Sequence, residues 1–178
     1  MRYAFLLPLV LAAALSGCGT GKAANDNGTL PALTGRVVDN ADLLPPEAEA
    51  RITGRLAALE EHTTDQLIVV TVPSLRGEPI EDLGVRLGRG WGIGQKDLNN
   101  GVLLIVAPAE RRVRIEVGTG LEGLLTDDKA ATIIKEQLLP GHRDARHADA
   151  IAAGVEALVG LLEQDRRRPR PFIMQKAA

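Results

Sequence analysis

Two uninterrupted apolar runs, Gln66-Leu67-Ile68-Val69-Val70-Thr71-Val72 and Gly101-Val102-Leu103-Leu104-Ile105-Val106-Ala107, constrain what this chain can fold into. The first is rich in β-branched residues and shows no polar alternation, so it reads as a central, parallel strand covered on both faces and closed by Pro73. Between the runs, Ile80, Leu83, Leu87 and Trp91 recur at helical spacing within Glu78 to Trp91, and a glycine-rich loop leads into the second run. Strand, helix and strand make a βαβ unit, whose crossover is right-handed in nearly all proteins.

The flanking segments complete an α/β layout. Pro45-Pro46-Glu47 opens a helix that carries Ile52, Leu56 and Leu59 on one face and ends near His62. After a turn at Pro108 to Arg111, Val113, Ile115 and Val117 alternate with Arg112, Arg114 and Glu116, the pattern of a hairpin strand nearer the sheet edge. Thr126-Asp127-Asp128-Lys129 reads as a capped helix start, continued by Ala130, Ile133, Ile134 and Leu138 as far as Pro140. A last helix places Ile151, Val155, Leu158, Val159 and Leu162 on one face. The expected fold is a single domain, a three-layer α/β/α sandwich around a small mixed sheet, over residues 35–165.

The ends of the chain read differently. Residues 1–17 carry one early positive charge at Arg2, a short apolar run from Ala4 to Ala14, and Leu15-Ser16-Gly17 before Cys18. That is a secretory signal with a lipobox-like end, too short to span a bilayer, which needs about 20 apolar residues. Cys18, the only cysteine, is then the lipid attachment point and the mature N-terminus, and disulfides within the chain are excluded. An ordinary cleaved signal with a coincidental cysteine is the alternative. Residues 18–34 are small and polar and read as a flexible tether. Gly19 after the cysteine resembles outer-membrane sorting in enteric lipoproteins. Residues 166–178 include Arg166-Arg167-Arg168-Pro169-Arg170-Pro171, a basic, proline-broken tail, either solvated or drawn to anionic lipid or envelope polymers. The expectation is a bacterial envelope protein, lipid-anchored with its domain on the periplasmic side of the inner or outer membrane.

Composition narrows the function classes. A formal net charge of -2 and an aromatic content of 2% leave neither the basic field nor the stacking platforms that nucleic-acid binding requires. Gly118-Thr119-Gly120-Leu121-Glu122-Gly123 matches G-x-G-x-x-G, but it follows the third strand, the next helix starts near Asp127, and Glu122 would oppose a pyrophosphate. A tight glycine loop is the better account, and no nucleotide is expected. No G-x-S-x-G elbow occurs, and Ser74 is the only serine of the folded region. His62, His142 and His147 form no H-E-x-x-H, so neither zinc nor haem is expected.

Carboxylates remain as candidates: Asp39, Asp42, Asp97, Glu116, Glu122, Asp127 and Asp128. Asp97, Glu122, Asp127 and Asp128 fall in loops or at a helix start, where oxygen ligands can gather around Ca2+ or Mg2+. The plain alternatives are helix capping for Asp127 and Asp128, and pairing of Glu116 with Arg112 or Arg114. Both stay open at this point.

Several spaced motifs together resemble one family. Val37-Val38-Asp39, Leu43-Leu44, Leu67 to Pro73, Trp91-Gly92-Ile93-Gly94, Asn99-Asn100-Gly101-Val102-Leu103-Leu104, Ile115-Glu116-Val117-Gly118, Gly120-Leu121-Glu122 and Leu125-Thr126-Asp127 are similar to the TPM domain. That family includes bacterial envelope proteins, a thylakoid-lumen protein of photosystem repair and an animal receptor accessory protein. The resemblance implies an α/β/α sandwich, and it implies divalent-cation binding, weak acid phosphatase activity or support of membrane complexes. It maps an acidic groove onto Asp39, Glu122 and Asp127, with Asp128 and Asp97 as neighbours. Where many members carry Asp-Asn-Gly this chain has Asn99-Asn100-Gly101, a neutral amide in place of a possible anionic ligand. Many bacterial relatives follow the domain with a transmembrane helix and a glycine-rich tail; here the lipid at Cys18 takes the place of that anchor.

Two functions of different class follow. One is a binding or assembly module that docks on an envelope protein and supports its maintenance, with or without a divalent cation. The other is a metal-dependent phosphatase acting on phosphate monoesters, its cation held by Asp39, Glu122 and Asp127, with Lys96 or Lys129 neutralising the leaving charge.

Overall fold

The computed structural model describes residues 30–143 and 146–164. The apolar leader, Cys18 and the basic tail lie outside the described residues. A four-stranded sheet runs in the order β1 (Val37–Asp39), β2 (Gln66–Thr71), β3 (Gly101–Ala107) and β4 (Arg112–Val117). The first three strands are parallel and β4 returns antiparallel to β3, so the sheet is mixed and β4 is an edge. Strand β1 was not readable as a strand from periodicity, because three residues are too few to show one.

Helices cover both faces, unequally. Along β2 and β3 the side chains alternate: Leu67, Val69, Val102 and Leu104 join one core with Leu56, Leu59, Leu158 and Leu162 from α1 (Pro46–Thr63) and α5 (His147–Gln164). Ile68, Val70, Leu103 and Ile105 join the other with Ile80, Leu83 and Leu87 from α2 (Ile80–Trp91). One helix alone thus seals the second face, and all five apolar residues expected on the α5 face are buried. Among the described residues no helix is long and apolar enough to cross a membrane.

The helix expected to stop at Pro140 does not stop there. α3 (Asp127–Ile133) widens into a π turn, Ile134–Leu138, and passes directly into α4 (Leu139–Arg143). A proline ring collides with the carbonyl four residues back and lacks an N–H; a π turn just ahead of it relieves that conflict without ending the helix. Leu139 N–H correspondingly reaches the Ile134 carbonyl. The opposite end of the tether also departs from expectation. Leu30 and Pro31, read as tether, lie against the domain: Leu30 packs on the α2 core and the Trp91 indole N–H donates to the Pro31 carbonyl at 2.9 Å.

Asp39 ends β1 and organises the turn into α1. Its carboxylate accepts from Leu44 N–H at 2.8 Å, from Leu43 N–H at 3.2 Å and from the Thr71 hydroxyl. The same hydroxyl accepts from Ala41 N–H at 2.9 Å, so strand β2 holds the turn through one side chain. Leu44, brought inward by this turn, is buried. Asp39→Ala strands two amides and a hydroxyl in a half-buried turn and is expected to cost about 2–3 kcal/mol in urea unfolding, with an unchanged denaturant slope.

Candidate functional site

The N-terminal edge of the parallel strands is held by one buried amide. Asn100, 4% exposed, accepts from Gln95 N–H at 2.8 Å, and its NH2 donates to the Thr64 carbonyl at 2.8 Å and to the Asp65 carboxylate at 3.1 Å. Its own carbonyl accepts from Gln66 N–H at 3.0 Å. The loop between α2 and β3 is therefore tied to the turn between α1 and β2. Only an amide satisfies this set, since a carboxylate could not donate and would face Asp65. Gln66 adds a second tie, accepting from Gly94 N–H at 2.7 Å while donating to Glu60, which also pairs with Arg36.

A third loop presses on the same place. Gly118 N–H donates to the Gly101 carbonyl at 2.7 Å and Gly120 N–H to the Asn99 carbonyl at 3.1 Å. Asn99 sits at φ 46, a left-handed conformation that asparagine tolerates better than most residues. A side chain on Gly118 would place Cβ 2.2 Å from the Asn99 oxygen, and on Gly120 1.8 Å from the Leu98 oxygen. The glycines of the G-x-G-x-x-G look-alike exist for this backbone contact, as a tight glycine loop demands.

Above these loops, on the α2 face, lies an open groove of about 480 Å³. Its walls are Gly84, Gly88 and Gly92 of α2 and its C-cap, the loop from Ile93 to Lys96, Asn99, and Glu116 to Thr119. A Cβ on Gly84 would stand 3.0 Å from Glu116 Oε2 and 3.2 Å from Ile105 Cδ1, so this glycine sets how closely α2 approaches the sheet. Glu116 is taken by Arg114 at 2.7 Å. Arg89 and Lys96 on the rim are exposed and have no ion-pair partner among the described residues, so the groove carries net positive charge.

The carboxylates expected to share a cation are not brought together. Asp39 pairs in register with Thr71, whereas Gly101, to which Gly118 bonds, pairs with Gln66 at the other end of β2. The two levels are separated by about 16 Å along the strand. Asp39 thus stands at the C-terminal edge of the parallel strands, while Gly118 starts the loop to Glu122 and Asp127 from the N-terminal edge. A single ion held by Asp39, Glu122 and Asp127 does not fit this arrangement. Asp97, Glu122, Asp127 and Asp128 are exposed, and the described residues contain no group of three or more His, Cys, Asp or Glu arranged to hold a metal. Asp127 and Asp128 occupy the first turn of α3, favourable to its dipole, with Thr126 as cap. Lys129 is engaged with the Leu124 carbonyl at 2.6 Å, and Lys96 reaches the groove. Glu116 pairs with Arg114 rather than Arg112.

Three of the motifs quoted above, Trp91-Gly92-Ile93-Gly94, Asn99-Asn100-Gly101 and Glu116-Val117-Gly118, converge on this groove and its clasp. The family model that matches residues 37–161 is the TPM domain. The chain is a TPM-domain protein. Among solved structures, the TPM domain here is similar to the N-terminal domain of a protein from P. gingivalis, at 38% identity and a TM-score of 0.69, covering 73% of this chain and 83% of that one. It shares its fold with BA42 from the psychrophilic bacterium Bizionia argentinensis (19% identity, TM-score 0.59, 68% and 82% covered). It also shares it with the N-terminal domain of cg2496 from Corynebacterium glutamicum (16% identity, TM-score 0.57, 78% and 86% covered). No curated protein matches the chain.

Arg89, Thr119 and the glycine wall were missed as site residues; the Gly84, Gly88, Gly92 spacing of four along one helix was the available signal. The clasp makes a direct prediction. Gly118→Ala meets backbone that no rotamer change relieves and should lower stability by about 2 kcal/mol or more, whereas Gly123→Ala, with nothing within 4 Å of its Cβ, should stay within about 0.5 kcal/mol in the same thermal unfolding assay.

Proposed function

We propose that this chain is a lipid-anchored protein of the bacterial envelope whose TPM domain docks an acidic segment of an envelope protein in the α2 groove, supporting that partner's assembly or maintenance. Cys18 carries the lipid and the following residues tether the domain to the membrane. One observation supports the docking role above others: three of the family's motifs converge on a groove with glycine walls, whose rim carries the cations Arg89 and Lys96. Glycines let a partner's backbone approach closely, and exposed cations at a rim steer acidic partners.

The phosphatase reading draws on the same two cations, which also suit a phosphoryl group. Its metal would have to be held without Asp39, by fewer than three clustered carboxylates of the described residues. Equal hydrolysis of a phosphate monoester by wild-type and Asp127→Asn protein, in Mg2+ or Ca2+, sinks it.

The docking reading is tested with lipidated full chain bound to solubilised envelope proteins. A partner captured reproducibly by wild type and lost at least tenfold with Arg89→Glu plus Lys96→Glu supports it. Equal capture by that variant excludes the groove, and Cys18→Ala that still partitions with membranes excludes the anchor.

A further inference from the structure

We infer that the exposed edge of β4 is a self-association surface: two copies of this chain pair antiparallel through β4 about a two-fold axis at Ile115, extending both sheets into one.

The edge is open. β4 is the last strand of the sheet, and Gly118 donates to the Gly101 carbonyl at its end. Antiparallel bonding alternates, so Glu116, Arg114 and Arg112 spend their backbone groups on β3, while those of Val113, Ile115 and Val117 point outward. Among the described residues no other backbone group bonds to those three. The outward backbone groups of these three residues are a template for another strand.

The side chains select the occupant. Charged residues on an edge ordinarily discourage pairing, and Arg112 and Arg114 would repel a generic strand of like charge. A two-fold at Ile115 removes that objection. Arg114 then lies opposite Glu116 of the second copy, twice by symmetry, on the α2 face. Val113 lies opposite Val117 and Ile115 opposite its own copy on the other face. The pairs Val113–Val117, Ile115–Ile115 and Val117–Val113 are the ones whose backbone groups face outward, so the register satisfies the ladder, with about six hydrogen bonds, and the charges together. Shifting the axis to Arg114 sets that arginine against itself. On the same side of the molecule α2 exposes Val85, one of two large apolar side chains exposed among the described residues, and Val85 lines the groove.

The pairing also alters the groove. Arg112 of the second copy falls opposite Gly118, which has no side chain, and so overhangs the end of the groove beside Thr119. The surface is independent of the docking role proposed above and stands or falls by oligomeric state.

Sedimentation equilibrium of the full chain in density-matched detergent tests it. Wild type is expected to form dimers at micromolar concentration. Arg114→Glu and Glu116→Arg should each weaken the dimer about tenfold or more, because each sets like charges opposite one another. Mixing the two variants in equal amounts restores both cross-strand pairs and should recover wild-type affinity. An ion pair needed only within one chain cannot be restored by mixing, so this rescue separates association from folding. A wild type that stays monomeric to about 100 µM, charge reversals without effect, or variants that weaken without rescue on mixing each overturn the inference.

Discussion

The arrangement of this domain depends on the Asn100 amide. One side chain joins the α1–β2 turn to the loop ahead of β3, and the glycines that follow β4 close on the backbone it fixes. A buried amide that makes all these bonds contributes; one that loses them costs the desolvation of every stranded group. The groove is a by-product of that clasp, because its floor and one wall are the loops the clasp positions. The TPM motifs around it are accordingly about backbone proximity first: glycines where carbonyls must approach, an asparagine where the chain turns left-handed.

The unequal layers explain why the groove opens on the α2 side. α1, α3 and α5 cover one sheet face, whereas α2 alone covers the other and runs its glycines past the β4 edge. Arg114 and Glu116 neutralise each other there, which leaves Arg89 and Lys96 to set the sign of the groove. On the far face, Arg55 bridges α1 to α5 through Glu163 at 2.8 Å and Glu156 at 3.1 Å; the Glu163 hydrogen bond first, then Glu156, hold its guanidinium charged. That face reads as structural support, with its charges spent on one another.

The buried strands were legible because a strand covered on both sides must be apolar throughout, and β2 and β3 are. The edge position of β4 was legible from its alternation for the converse reason. β1 was not, since Val37–Asp39 is too short for a period, and the π turn before Pro140 was not, since a proline in a helical pattern ordinarily marks an end. The site was the least legible part. Asp39, Glu122 and Asp127 look alike in sequence, all acidic and near loops, but strand direction sends Asp39 to one end of the sheet and the β4–α3 loop to the other. In the Asn99-Asn100-Gly101 motif the sequence draws attention to Asn99, a neutral amide where many members carry Asp, and Asn99 takes the left-handed turn; its neighbour Asn100 is the hydrogen-bond hub, a role visible only once Thr64, Asp65 and Gln95 are adjacent.

Amide hydrogen exchange of wild type against Asn100→Ala, followed residue by residue, tests this account most directly. If Asn100 holds the loops together, protection falls jointly at Gly94, Gln95, Gly118 and Gly120 while the centres of β2 and β3 keep theirs. A change confined to Gln95, with the Gly118 and Gly120 amides as protected as before, would contradict it.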